Sequence, residues 1–175
     1  PFYYISTTLG ITLQKGAVCV FQILQKLYII VTEVNKMIDF KEEVLKHKDE
    51  MLKDLKDLCL IPSTLDKTTA KENQPFGENN RKALDLMLSI GQRDWFVTDD
   101  CDGYAGSIDI GEGEDCFGIL GHLDVVPTEG QEWDYPEYDM TLDGDTLYGR
   151  GVADDKGPLI AAYYAAKIVN ELDFE

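Results

Sequence analysis

Gly121-His122-Leu123-Asp124-Val125-Val126-Pro127 and Gly149-Arg150-Gly151-Val152-Ala153-Asp154-Asp155-Lys156-Gly157-Pro158 are the two stretches on which the reading of this chain turns. Each sets a side chain able to bind a metal at the point where an apolar run stops. His122 follows residues 116–120, whose unbroken apolar character predicts a strand buried on both faces of a sheet. The end of such a strand opens on the crevice where α/β proteins place ligands. Imidazole suits zinc and other borderline metals. Asp124, two residues on, points to the same side as His122 in an extended stretch. It is placed either to accept the far ring N–H of His122 and fix its tautomer, or to bind a metal itself. Asp154 and Asp155 precede a helical pattern, where the helix dipole favours a carboxylate. One carboxylate can bridge two cations about 3.5–4 Å apart, as two-metal hydrolases require. Taken singly, each segment has a plainer account: a lone His beside a capping Asp, and an N-cap Asp with an exposed neighbour. Found together on these elements, they predict half of a two-metal hydrolase site.

The surrounding pattern predicts an α/β layer structure, with helices packed on a mixed sheet. Residues 157–172 read as a helix, with Pro158 tolerated in its first turn. Residues 138–142 and 146–148 flank Asp143-Gly144-Asp145, a hairpin signal. Residues 95–98 and 104–110 read as strands, and residues 112–115 as a turn. Upstream, Val44, Met51, Leu52, Leu55, Leu58 and Cys59 recur at helical spacing, behind a capping-box-like pair, Asp39 and Glu42. That helix should stop near Ile61, before Pro62. Residues 62–80 read as a loop. A second helix is expected over residues 80–89, with Ala83, Leu84, Met87 and Ile90 on one side and Gly91 ending it.

Composition narrows the function classes. At 175 residues and 44% hydrophobic, the chain can bury a core. A net charge of −17 argues against nucleic acid or an anionic membrane as partner, since phosphate binding needs clustered Lys and Arg. Cys19, Cys59, Cys101 and Cys116 form no C-x-x-C pair and read as reduced thiols of a cytoplasmic protein. Residues 11–31 are apolar-rich, but Lys15, Gln22, Gln25 and Lys26 interrupt them, so no membrane span is expected. Residues 1–10 carry no positive charge of the kind a signal peptide has. Composition changes sharply at Met37, from nearly uncharged to rich in Lys and Glu. Residues 1–36 are therefore expected to be an N-terminal extension outside the working domain, and residues 37–175 to carry that domain. No Ser sits in a G-x-S-x-G elbow and no Cys has a plausible His partner. His47, between Lys46 and Lys48, reads as part of a solvated helix face.

Residues 121–127 resemble the G-H-x-D-V-V-P motif of the dinuclear zinc peptidases that include acetylornithine deacetylase, succinyl-diaminopimelate desuccinylase and aminoacylase. Residues 149–158 resemble their G-R-G-x-x-D-x-K-G motif. Asp154-Asp155-Lys156-Gly157-Pro158 looks like the dipeptidase branch typified by peptidase V, as does the stretch from Met37 to Leu60-Ile61-Pro62-Ser63. The resemblance covers residues 37–175 and implies the N-terminal part of a zinc-exopeptidase-like catalytic domain. It implies His122 as a ligand of one metal, Asp154 as the carboxylate bridging two, and Asp124 as the catalytic group that orients His122. The cofactors it implies are two divalent ions, zinc being the family's usual metal and manganese that of a related branch. The implied activity is hydrolysis of the amide bond of a dipeptide by a metal-activated water.

The chain departs from the family pattern by omission. After Asp154 the acids are Asp155, Glu171, Asp173 and Glu175, with no Glu-Glu pair to supply the family's general base. There are two His in all, and His47 precedes both motifs. Two protein ligands cannot hold two zinc ions, each of which wants about three in a catalytic site. The chain is therefore expected to be incomplete, inactive by itself and a poor metal binder. A deacylase of N-acyl amino acids or succinyl-diaminopimelate, and a non-catalytic remnant of the fold, are the alternatives.

Overall fold

The computed structural model describes residues 38–112 and 115–172. The N-terminal extension expected over residues 1–36 lies outside the described residues. In chain order the elements are α1 (Phe40–Cys59), α2 (Glu78–Arg93), β1 (Val97–Cys101), β2 (Ala105–Asp109), β3 (Thr141–Asp143), β4 (Thr146–Tyr148) and α3 (Lys156–Glu171). The α/β class is as expected from the sequence.

The core gathers around α3. Ile160, Tyr163 and Tyr164 meet Leu55, Leu58 and Cys59 of α1, Met87 and Ile90 of α2, and Met140 before β3. The apolar spacing of α1 therefore locates its buried face, but only from Met51 onward. Val44 and Leu45, in its first turns, are exposed. His47 is not on a solvated face: its ring is mostly buried, with Nε2 2.9 Å from Glu171 Oε2 of α3 and its centroid 6.1 Å from that of Tyr164.

α2 runs six residues beyond expectation, two at its start and four at its end, and Gly91 does not terminate it. A Cβ at Gly91 would lie 3.0 Å from Ile108 Cγ2 and 3.1 Å from Thr98 Cγ2, so the glycine lets α2 lie directly on the β1–β2 ribbon. The helix is closed instead by a Schellman pair: Phe96 N–H donates to Gly91 C=O (3.0 Å) and Trp95 N–H to Gln92 C=O (3.1 Å). Trp95 takes the left-handed position (φ 65) where glycine is usual, and 94% of its surface is exposed.

The sheets differ most from expectation. The described residues hold two separate antiparallel ribbons, β1–β2 and β3–β4, rather than one mixed sheet. Asp102 and Gly103 (φ 52 and 73) turn the first ribbon, a D-G hairpin signal that sequence reasoning passed over. The expected buried strand at residues 116–120 is absent. That stretch takes no regular secondary structure, and Phe117 and Leu120 are 90% and 98% exposed. A strand exists only as a pairing, because its N–H and C=O groups need a neighbour. An apolar run alone supplies none.

A polar cluster also ties the three helices together. Tyr164 OH donates to Asp54 Oδ2 (2.7 Å), and Tyr163 OH to Asp94 Oδ2 (2.6 Å). The Arg93 guanidinium spans Asp54 (2.9 Å) and Asp94 (3.0 Å), and Lys167 Nζ lies 3.0 Å from Asp94 and 3.2 Å from Glu50. Burial pushes the Asp94 carboxyl up. Hydrogen bonds from Arg93, Tyr163 and Lys167 outweigh that and hold it down to about 2, from an ordinary 3.8.

A carboxyl held below its unfolded value contributes stability that is present above that value and lost as pH falls through the folded one. The urea midpoint is therefore expected to fall as pH drops from 3.8 to about 2, and Asp94→Asn to flatten that decline. Separately, Trp95→Gly relieves a left-handed penalty of roughly 1–2 kcal/mol, offset by the ~0.5–1 kcal/mol entropy cost of glycine. With no packing to lose at an exposed indole, a net gain of roughly 0.5–1 kcal/mol is expected in urea denaturation. A loss would show that the indole is held by contacts that matter.

Candidate metal centre

His122 and Asp154, far apart in sequence, face each other: His122 Nε2 lies 3.2 Å from Asp154 Oδ1. On the far side of the ring, Nδ1 lies 3.2 Å from Asp124 Oδ1 and 3.1 Å from the Asp124 carbonyl oxygen. The three residues singled out by sequence are thus brought into one cluster, open to solvent. Two acceptors at Nδ1 hold the ring N–H there and turn Nε2 toward Asp154. Burial would lower the His122 pKa. The Asp124 carbonyl and the carboxylates of Asp124, Asp155 and Asp154 outweigh it and raise the imidazole above 6.5. Such surroundings favour positive charge at Nε2, whether a proton or a cation.

The donor pair fits a divalent ion. Ligand bonds of about 2.0–2.1 Å in a tetrahedral site set neighbouring donors roughly 3.3 Å apart. The observed separation is 3.2 Å. Among the described residues, however, no group of three or more His, Cys, Asp or Glu is arranged to hold a metal.

Three residues, Lys156 and Ser63 in the interior and Asp155 nearer the surface, make the polar contacts that explain how the two segments reach each other. Lys156, with 0% of its surface exposed, donates from Nζ to the carbonyls of Leu58 (2.9 Å) and Ile61 (2.7 Å) at the C-terminal end of α1. This anchors the turn carrying Asp154 to that helix end, where the dipole attracts a cation and each carbonyl accepts Lys156 beside a backbone bond, from Ile61 N–H to Leu58 C=O (3.1 Å) and from Ser63 N–H to Ile61 C=O (2.8 Å). Burial pushes the Lys156 ammonium down to about 8, against the opposing pull of Cys59 and Asp124. Ser63, also fully buried and just beyond α1, donates from Oγ to Leu123 C=O (2.6 Å), and its own C=O accepts from Val125 N–H (3.0 Å). The 121–125 stretch is thereby held by one backbone bond and one side-chain bond. Finally, Asp155 Oδ2 accepts from the His122 backbone N–H (3.0 Å). At its other end, the Arg150 turn is fastened by Arg150 N–H to Glu137 C=O (2.6 Å), by Nη2 to Gln131 Oε1 (2.7 Å) and by the guanidinium over Trp133.

Sequence reasoning missed Lys156 and Ser63, and it placed Asp155 at the helix start without its partner, the His122 N–H. The motif Asp154-Asp155-Lys156-Gly157 held Asp155 and Lys156 in plain view, but partners in the 58–63 and 121–123 stretches are invisible without the fold. Replacing Lys156 by Met leaves the α1 end without its buried cation. It is expected to cost about 2–4 kcal/mol by chemical denaturation. A loss under half a kcal/mol would show that the helix end is satisfied by other means.

Comparison with known proteins follows the same segments. Residues 118–175 match the model of Peptidase family M20/M25/M40. A Staphylococcus epidermidis protein named "Putative dipeptidase" is 47% identical over 133 residues, 76% of this chain and 28% of that protein. A Staphylococcus aureus protein of the same designation is 45% identical over 136 residues, 78% of this chain and 29% of its own length. The chain thus spans under a third of the curated relatives it matches. In fold it is similar to the crystal structure of human carnosine dipeptidase 1, with a TM-score of 0.54 and 24% identity over 78% of this chain and 31% of that one. Over residues 118–175, then, the chain is similar to Peptidase family M20/M25/M40.

Proposed function

We propose that the protein to which this chain belongs is a metal-dependent dipeptidase, acting on dipeptides in the cytoplasm. The observation that carries this reading is the approach of His122 Nε2 to Asp154 Oδ1 at the edge length of a zinc site. The names of the relatives and the family of residues 118–175 support the peptidase assignment. The unbonded thiols of Cys59, Cys101 and Cys116 suit a reducing compartment. No helix among the described residues is long and apolar enough to cross a membrane.

In this reading His122 and Asp154 would hold the metal, and Asp124 would fix the His122 ring through Nδ1. Zinc is the ion that the His and carboxylate donor set suits best. A divalent ion bound there supplies Lewis-acid polarisation of the scissile carbonyl. His122 and Asp154 are two donors, short of the roughly three per ion that catalysis needs. The 175-residue chain by itself should therefore bind zinc weakly and turn over no dipeptide.

The test is dipeptide hydrolysis by the native protein, with and without chelator. Activity is expected to vanish on chelation and return with zinc. His122→Ala and Asp154→Ala should each abolish it, and Asp124→Asn should lower it by about 10–100-fold. Chelation without effect would remove the metal from the mechanism. Cleavage of N-acyl amino acids in preference to dipeptides would make the protein a deacylase instead.

A further inference from the structure

We infer that Asp155 is a positioning residue for the metal centre: its carboxylate, by accepting the His122 backbone N–H, sets where His122 stands relative to Asp154. This rests on the reading of His122 and Asp154 as ligands. Asp155 occupies the N-cap of α3, where a carboxylate ordinarily accepts N–H groups of its own helix. Here it makes no such capping bond. The third residue of the helix, Pro158, has no N–H to offer, and the Gly157 N–H is taken by the Gly151 carbonyl (3.1 Å). The carboxylate instead reaches across to the other motif, 3.0 Å from the His122 nitrogen.

The approach is close from both sides. A Cβ on Gly121 would stand 2.9 Å from Asp155 Oδ2 and 2.9 Å from Leu159 Cδ1. A side chain at this position would have to displace the Asp155 carboxylate and the Leu159 side chain, so the bare glycine leaves Asp155 Oδ2 room to reach the His122 N–H. Asp154 is adjacent to Asp155 in the chain, so one dipeptide supplies both the proposed metal donor and the bond that fixes its partner. The spacing of Nε2 and Oδ1 then depends on a link through three residues, His122, Asp155 and Asp154, rather than on the whole path from residue 122 to residue 154. An acceptor oxygen is what this role needs; a full negative charge is not.

The experiment is zinc chloride titration of the 175-residue chain, followed by the His122 amide and ring signals in NMR, which reads weak binding directly. Amide exchange at His122 and the melting temperature are measured alongside. Asp155→Ala is expected to weaken zinc binding about tenfold and to speed His122 amide exchange at least as much. Asp155→Asn, which keeps an acceptor oxygen, should restore both to within about threefold of the parent. If Asp155→Ala melts too low to titrate, Gly121→Ala reports on the same contact with Asp155 intact and should weaken zinc binding similarly. Parental zinc affinity in Asp155→Ala or Gly121→Ala, beside a His122→Ala that loses it, would overturn this inference alone. So would an Asp155→Asn as weak as Asp155→Ala, which would assign the effect to charge. Parental affinity in His122→Ala would instead bring down the ligand reading, and this inference with it.

Discussion

The ammonium of Lys156, buried against the carbonyls of Leu58 and Ile61, is the contact on which the arrangement of this molecule depends. A charge taken wholly out of water is tolerable only if its donors are used. At the end of a helix and just beyond it, backbone carbonyls keep a second lone pair open to such a donor, as Leu58 and Ile61 do beside the N–H groups of Ile61 and Ser63. The α1 terminus and the start of α3 are therefore held in one geometry, and the Asp154 turn lies in the stretch so fixed. Ser63, two residues beyond Ile61, binds the His122 segment to the same corner through Leu123 and Val125. Both halves of the candidate centre are thus referred to one short piece of chain.

Elsewhere the helices are joined by a mixed apolar and polar contact surface. Ile160 packs with Leu58 and Cys59, while the hydroxyls of Tyr163 and Tyr164 reach Asp94 and Asp54, and Arg93 lies between the two carboxylates. Apolar burial is non-directional and fixes little about the rotation of one helix against another. Buried hydrogen bonds of this kind are directional, and each partner lost leaves another unsatisfied. The register of α3 against α1 and α2 is accordingly set by its tyrosines and Lys167 as much as by its aliphatic residues.

Much of this was legible in advance, and the exceptions share a cause. The three helices follow from 3.6-residue periodicity and from Pro62 and Pro158, which are local. The β3–β4 turn follows from Asp143-Gly144-Asp145. His122, Asp124 and Asp154 stand out because their spacing within each motif is itself the signal. The errors arise where a local pattern has more than one tertiary meaning. Gly91 has the look of a stop and serves as a contact with Ile108 and Thr98. Trp95, a residue that local rules would never choose, closes the helix. Residues 116–120 have the composition of a central strand and pair with nothing among the described residues.

The sequence by itself determined which side chains carry donor groups of the kind metals take, where the helices begin and end to within a turn or two, and that the class is α/β. These are properties of spacing and backbone preference within a few residues, which a linear chain carries explicitly. Only the tertiary structure decided that His122 and Asp154 stand 3.2 Å apart, that Asp155 turns away from its own helix, and that Lys156 is buried in the end of another. Those are pairings between side chains and backbone groups tens of residues apart. They come into being only when burial removes water as the competing partner.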